Sequence, residues 1–301
     1  DMVPKDTESE NIWKSLGVAD VREEGMGDVF WGPTGASGPC GPTTEIYCTN
    51  ANGKDVEIWN IVFNEFLCSG SREQLLAGDA ALTPLEKQGI DTGMGLERLA
   101  MISQNKKNIF ETDLFAPVIQ AVDSRVAQYN PHYATETMKR MIADHVRASV
   151  FLIFDGILPS NKGAGYILRR LLRRIIIAGV NDTELAGIII ENYRNFYSEL
   201  DKNKIFPVFV DEYITFSRTL RRGLDEMKKI KNDNAQSWFG FYQSFGIPFE
   251  VIQDMRGKKV RWEDFDEEFK KHQELSRAGL EKKFGGHGLL LDTGELKAAD
   301  E

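Results

Sequence analysis

The fourteen residues from Gly89 to Ile102, GIDTGMGLERLAMI, govern how the rest of the chain is read. Ile90 and Asp91 end an extended run, Gly93 and Gly95 permit a tight turn, and Leu96, Leu99, Ala100 and Ile102 give the following helix one apolar face. Dinucleotide-binding folds also run a strand into a helix through glycines. Their fingerprint, however, needs a third glycine where Arg98 stands. An arginine near a helix start suits a different task, because its guanidinium and the free backbone N–H groups can hold one phosphate together. Asp91 is placed to receive a ligand's ammonium group. A structural reading fits the same residues equally, with Asp91 as the helix N-cap and Arg98 paired on the surface with Glu97 or another neighbour.

Upstream lies a second glycine-rich stretch, WGPTGASGPCGP, from Trp31 to Pro42. A Walker loop would carry Lys and then Ser or Thr where Pro39 and Cys40 stand, so a P-loop nucleotidase is set aside. Four glycines and three prolines predict a tightly turned loop, either a plain turn between strands or one whose backbone approaches a ligand. Val29 to Trp31, Thr44 to Cys48, Val56 to Phe66 and Gly89 to Asp91 read as strands or strand ends. Beyond Asn108 the apolar period becomes helical over Ile109–Gln128, Thr135–Phe154, Gly165–Ala178, Glu184–Leu200 and Val208–Ile230. Shorter helices are predicted over Ala235–Phe245 and Trp262–Ala278. No internal repeat is found, and the Gly-rich, then acidic tail reads as a linker.

Composition narrows the function. The chain has 301 residues, 37 basic and 46 acidic, a net charge of −9 and 42% hydrophobic residues, which is the profile of a globular chain. The longest apolar run, Ser149 to Leu158, is too short to span a bilayer and contains Asp155. Three cysteines, Cys40, Cys48 and Cys68, form no C-x2-C pair, so neither a disulfide framework nor a zinc site is expected; a reducing, cytoplasmic setting is. One segment reverses the acidic average. Between Met138 and Val180 eight basic residues face two acidic ones, the mark of a localised polyanion site or of a solvated helix face. On a helical wheel, Arg169, Arg170, Arg173 and Arg174 fall within about 140° of one another, opposite Leu168, Leu171, Leu172 and Ile175. Such a helix is expected to pack by one face and present four guanidiniums to a phosphate backbone with the other.

Eight segments occur in one order along the chain: FWGPTGASGPCGPTTEI, EIWNIVFNEF, IDTGMGLERLAMI, TDLFAPVI, IADHVRASVFLIFDGILPSN, GYILRRLLRRII, FSRTLRRGL and FYQSFGIP. Together they resemble the alanyl-tRNA synthetases, within the class II aminoacyl-tRNA synthetases. The resemblance implies an α+β fold. Residues 1–107 would be part of a class II antiparallel-sheet catalytic domain, 108–282 a helical tRNA acceptor-stem recognition domain, and 283–301 a linker toward an editing domain. No counterpart of that family's motifs 1 and 2 or of its His- and Cys-rich editing motifs is found, so the chain reads as an internal fragment, expected not to form alanyl-adenylate alone.

The resemblance also assigns roles. GMGLER is similar to motif 3, which gives Arg98, with Gly95, an ATP-phosphate contact. Asp91 would bind the α-ammonium of alanine, Trp31 and Val62 would wall the small pocket around its methyl group, and Asn60 and Gly93 would lie nearby. ATP and Mg2+ are implied, with the metal ion held among the phosphates and zinc not expected. A pocket that separates alanine from glycine or serine by one small group discriminates poorly, which is the physical reason for a separate editing site. In the helical part, Asn161 and Gln243 would read the G·U pair of the tRNA-Ala acceptor stem, and Arg169, Arg170, Arg173 and Arg174 would hold its phosphates. Gln243 stands where the family usually has an aspartate, so the pair would be read there without a charge. Two alternatives are a tRNA-binding module with no catalytic role and a class II-like ligase for another small acid.

Overall fold

A computed structural model of the chain describes residue 3 and residues 5–129, 135–180, 183–230 and 234–247. Toward the C-terminus it also describes 249, 252, 253, 261, 263–268, 270 and 271. The chain divides into two compact units between Pro117 and Val118. Residues 108–117 belong to the first because the 3-10 turn Ile109–Glu111 and its flanks are tied back. Asp113 accepts from Gln104 at 2.6 Å, the Lys106 carbonyl accepts from the Ala51 amide at 3.3 Å, and Phe110 packs on Phe115 with ring centres 4.9 Å apart.

The first unit is an antiparallel sheet of β1 (Phe30–Trp31), β2 (Gly38–Thr49), β3 (Asp55–Cys68) and β4 (Leu82–Met94), in that order across the sheet. Alternating branched and aromatic residues in β3 favour a pleated, half-buried strand. β2 starts inside the stretch expected to be loop. Gly38 to Pro42 continue as strand through a register shift between Cys40 and Thr43, so only 32–37 turn between β1 and β2. Gly41 makes this possible: a Cβ there would lie 1.6 Å from the Phe63 carbonyl oxygen. β4 is likewise longer than the predicted Gly89–Asp91, and its residues from Glu86 to Met94 are exposed along the sheet edge.

Two helices have no counterpart in the expectations. α1 (Thr7–Ser15) is capped by Asp6, whose side chain accepts from the Ser9 amide. α2 (Arg72–Ala77) carries a reciprocal Ser71–Gln74 capping box and ends at Gly78 in the left-handed region. Both are too short for a periodic apolar signal, and local caps define them instead. Leu75 of α2 packs with Phe30, Cys40 and Cys68 in a small core. Arg72 binds the β1 region by donating to the carbonyls of Gly27 and Gly32 at 3.0 and 3.3 Å and to that of Phe30. After β4, α3 (Leu96–Ser103) follows directly.

The second unit is helical: α4 (Ala116–Tyr129, its first two residues in the first unit), α5 (Glu136–Phe154), α6 (Gly163–Ile177), α7 (Thr183–Tyr193), α8 (Lys202–Met227) and α9 (Ala235–Phe245). The helix predicted from Ile109 starts only at Ala116, because Thr112 is fully buried in an extended conformation that breaks it. α8 starts six residues before the predicted Val208. Asp201 caps it, and it runs through Pro207 because Ile205 and Phe209 on either side are buried. Packing offsets the lost Pro207 donor. Residues 263–268, 270 and 271 are helical within the predicted Trp262–Ala278, of which 262, 269 and 272–278 fall outside the described residues, as does the expected linker 283–301. Aromatic residues of α8 and α9 (Phe216, Trp238, Phe239 and Phe241) form one core cluster with Ile176 of α6.

Candidate active site and nucleic-acid interface

Strand register assembles the first site. Across β3 and β4, Asn60 stands opposite Gly93 and Val62 opposite Asp91; across β2 and β3, Glu45 stands opposite Asn60 and Thr43 opposite Val62. Cross-strand partners share a face, so Asn60, Val62, Asp91 and Gly93 lie together, joined by Thr43 and Glu45. Hydrogen bonding agrees with the register: Asn60 Nδ2 donates 2.9 Å to Glu45 Oε1, and Tyr47 Oη donates 2.7 Å to Glu45 Oε2. The Glu45 bond, with burial and the charge of Glu45, pushes the Tyr47 phenol up to about 12, so it stays a neutral donor. Asn60 Oδ1, Thr43 Oγ1 and Asn64 Oδ1 are buried with no hydrogen-bond partner. Three orphaned oxygens beside a carboxylate suit a ligand that brings N–H donors.

Asp91 lies within β4 and is exposed; the N-cap of α3 is Gly95, which makes no side-chain cap. Its reading as a helix cap is therefore excluded. Trp31 ends β1 opposite Gly41, two residues along β2 from Thr43 and across the irregular register, and is 39% exposed. Arg98, one turn into α3, does not pair with Glu97. Its Nη1 donates 2.9 Å to the Glu57 carbonyl and lies 3.3 Å from Glu57 Oε2, with half of its side chain exposed. The uncapped N–H groups of α3 and this guanidinium share one end of the β3–β4 pair, where Gly95 N bonds the Ile58 carbonyl at 3.0 Å. Thr43, Glu45, Asn64 and Glu57 were missed by sequence reasoning. For the first three the signal is the alternation in GPTTEI and EIWNIVFN, which places every second residue on the face of Val62; Glu57, an odd number of residues from Val62, comes opposite Tyr47 only through the register shift between Ile46 and Tyr47.

In the helical unit, Asn161 sits in the turn before α6 and is exposed. Gly165 lets this turn fold onto the helix, since a Cβ there would lie 2.4 Å from both the Leu158 carbonyl oxygen and Ser160 Oγ. Gln243, on α9, is exposed. Beside it, the Tyr242 hydroxyl shares a 2.6 Å hydrogen bond with that of Tyr166, so the first turn of α6 and the second half of α9 adjoin.

The four arginines of α6 do not face outward together. Arg173 Nε donates 2.8 Å to Glu212 of α8, and its guanidinium lies 4.6 Å from the Phe216 ring centre. Arg169 Nε lies 3.7 Å from the other Glu212 oxygen, and its terminal nitrogens donate to the Pro159 carbonyl at 3.2 Å and to Asn161 Oδ1. Glu212 is 7% exposed, and a buried carboxylate draws in cations that a helical wheel leaves in solvent. Arg170 is exposed, 5.9 Å from the Tyr166 ring centre. Sequence could have found Glu212: with Ile205, Phe209 and Phe216 it occupies the apolar stripe of α8, where an acid needs a cationic partner.

A family model described as tRNA synthetases class II (A) matches residues 1–299. The chain belongs to the class II (A) tRNA synthetases. Similar curated proteins of this class II (A) family are alanine–tRNA ligases. That of Treponema denticola is 37% identical, covering 94% of this chain and 52% of the relative. That of Borrelia hermsii is 35% identical, covering 94% and 53%, and that of Dehalococcoides mccartyi is 35% identical, covering 90% and 34%. The chain thus spans about half the length of the first two relatives and a third of the last. Among the described residues no group of three or more His, Cys, Asp or Glu side chains is placed to hold a metal ion, and no helix is long and apolar enough to cross a membrane.

Proposed function

We propose that the chain supplies the alanine- and ATP-binding face and the acceptor-stem contacts of an alanine–tRNA ligase. The observation that carries this reading is the β3–β4 register, which puts Asn60, Val62, Gly93 and Asp91 on one face with Arg98 at its end. Asp91 receives the ammonium group of alanine, Asn60 and Gly93 flank it, and Val62 and Trp31 close around the methyl group. Arg98 leaves Glu57 to meet the ATP phosphates, joined by backbone N–H groups from Gly95 onward. Glu57, already beside Arg98, would be a carboxylate able to help hold a Mg2+ ion carried on the substrate phosphates. The metal neutralises phosphate charge when bound. The protein's part is to hold the alanine carboxylate in line with the α-phosphorus.

In the second unit, Asn161 and Gln243 read the G·U pair of the tRNA-Ala acceptor stem. Arg170 and Arg174 hold its phosphates, with Arg169 and Arg173 behind them on Glu212. Three free cysteines suit a reducing, cytoplasmic compartment.

Calorimetric titration with a non-hydrolysable alanyl-adenylate analogue tests the first unit. Asp91→Asn is expected to weaken binding by roughly 10- to 100-fold, the worth of a charge-assisted hydrogen bond. An unchanged affinity would remove Asp91 from the site. For the second unit, acceptor-stem hairpins carrying G·U or G·C are compared at fixed salt. Preference for G·U supports base-pair reading, and equal binding with a steep salt dependence limits the helices to phosphate contacts.

A further inference from the structure

We propose that Arg169, held from behind by Glu212, is a positioning residue that fixes the side-chain amide of Asn161 with its NH2 group turned outward. Asn161 then meets RNA only as a hydrogen-bond donor. The RNA part of this inference rests on the reading of Asn161 as a base-pair contact.

The orientation follows from chemistry. A guanidinium carries five N–H donors and no acceptor, so the Asn161 atom that faces Arg169 is the oxygen. With Oδ1 engaged, Nδ2 is the free end of an exposed side chain. Left alone, an asparagine in a turn before a helix rotates and offers either end. In the shallow minor groove of an RNA helix, a fixed donor is satisfied by pyrimidine O2, purine N3 or a 2′-hydroxyl and opposed by the guanine amino group.

Arg169 is itself held in place. Its second terminal nitrogen donates to the Pro159 carbonyl at 3.2 Å, and its Nε, buried and without a hydrogen-bond partner, lies 3.7 Å from Glu212 Oε2. Glu212 is fixed at its other oxygen by Arg173 at 2.8 Å, and Arg173 lies over Phe216. Arg173 Nη1 fills the space that a Cβ on Gly246 would take, 1.9 Å from where that atom would lie. A buried carboxylate, two arginines and one exposed amide thus form a chain from the core of α8 to the surface. Arg169 spends its donors on this chain, which separates its task from that of the exposed Arg170.

The test measures nitrogen-15 relaxation of the Asn161 side-chain amide in the 301-residue chain, alongside binding of G·U and G·C acceptor-stem hairpins. The amide is expected to be rigid in the native protein, released in Arg169→Ala and Glu212→Gln, and largely restored in Arg169→Lys, because an ammonium also only donates. If Glu212→Gln does not fold, the two Arg169 variants carry the comparison. Arg169→Ala should lose the same G·U preference as Asn161→Ala, about fivefold for one hydrogen bond, and the double variant should lose no more. An amide equally rigid with and without Arg169 overturns the proposal. So does an Arg169→Ala variant that weakens both hairpins alike, keeps the preference and lowers the salt slope by about one, since that is a phosphate contact. Should the native chain not distinguish the hairpins while Arg169→Ala still frees the amide, the base-pair reading of Asn161 fails and the positioning stands.

Discussion

Gly41 and Gly53 separate two reasons for a glycine. At Gly41 the backbone is ordinary and the obstacle is another strand, with the Phe63 carbonyl 1.6 Å from any added Cβ. At Gly53, in the β2–β3 turn, nothing lies within 4 Å and the obstacle is a φ of +76°. Gly41→Ala must push β2 from β3, and urea denaturation should register a loss of about 3 kcal/mol or more. Gly53→Ala should lose only about 1–2 kcal/mol, the left-handed cost of a side chain. Equal losses would mean that the strands do not approach this closely. The cysteines separate similarly. Cys40 and Cys68 are fully buried, and burial, with the neighbouring Cys68, pushes the Cys40 thiol up to about 11. Because the thiolate is the reactive form, Cys40 stays protonated near neutral pH, and reactivity appears only as the pH rises toward that value. Alkylation of the native chain near neutral pH, read by mass spectrometry, should therefore mark Cys48, with Cys40 and Cys68 following only on unfolding.

At the scale of elements, α6 divides its work between two faces. Leu168 and Leu172 are buried, and truncating either to Ala should destabilise the helical unit by about 2–5 kcal/mol, measured by thermal or chemical unfolding. Arg170 is exposed, so Arg170→Gln should leave stability within about 0.5 kcal/mol while reducing the salt dependence of hairpin binding by about one unit of slope. A large stability loss from Arg170→Gln would show that it, too, serves the fold. Gly246→Ala tests the end of α9. Its φ of +60° and the Arg173 guanidinium both oppose a side chain, so the substitution should disturb the Arg173–Glu212 pair as well as the helix end. A drop in G·U preference beyond the loss of stability would link the two.

For the whole molecule, the two units are expected to answer different ligands. Amide hydrogen exchange should slow in β3, β4 and the start of α3 on adding the alanyl-adenylate analogue. It should slow around Asn161, α6 and α9 on adding the acceptor-stem hairpin. Protection of both units by either ligand alone would contradict a division of labour along the sequence.

By itself the sequence determined the family, the order of a sheet-rich part and a helical part, and most helices longer than ten residues. Each of these is carried by local periodicity or by residues adjacent in the chain. GIDTGMGLERLAMI placed a strand and a helix in one stretch because β-branched and leucine preferences act over a few residues, although the strand runs on through Gly93 to Met94 and leaves only Gly95 where a turn was expected. Elements defined by one cap, such as α1 and α2, were not legible, nor was the run of α8 through Pro207, where buried neighbours overrule a local penalty. Tertiary structure alone decided register and charge partners. It set Val62 opposite Asp91, turned Arg98 toward Glu57, and drew Arg169 and Arg173 inward to Glu212. The physical reason is the same in each case. A helical wheel or a strand alternation gives the side a residue faces on its own element, whereas another element decides what it meets there: the paired strand for Val62 and Asp91, the Glu57 carbonyl and carboxylate for Arg98, and the buried Glu212 for Arg169 and Arg173.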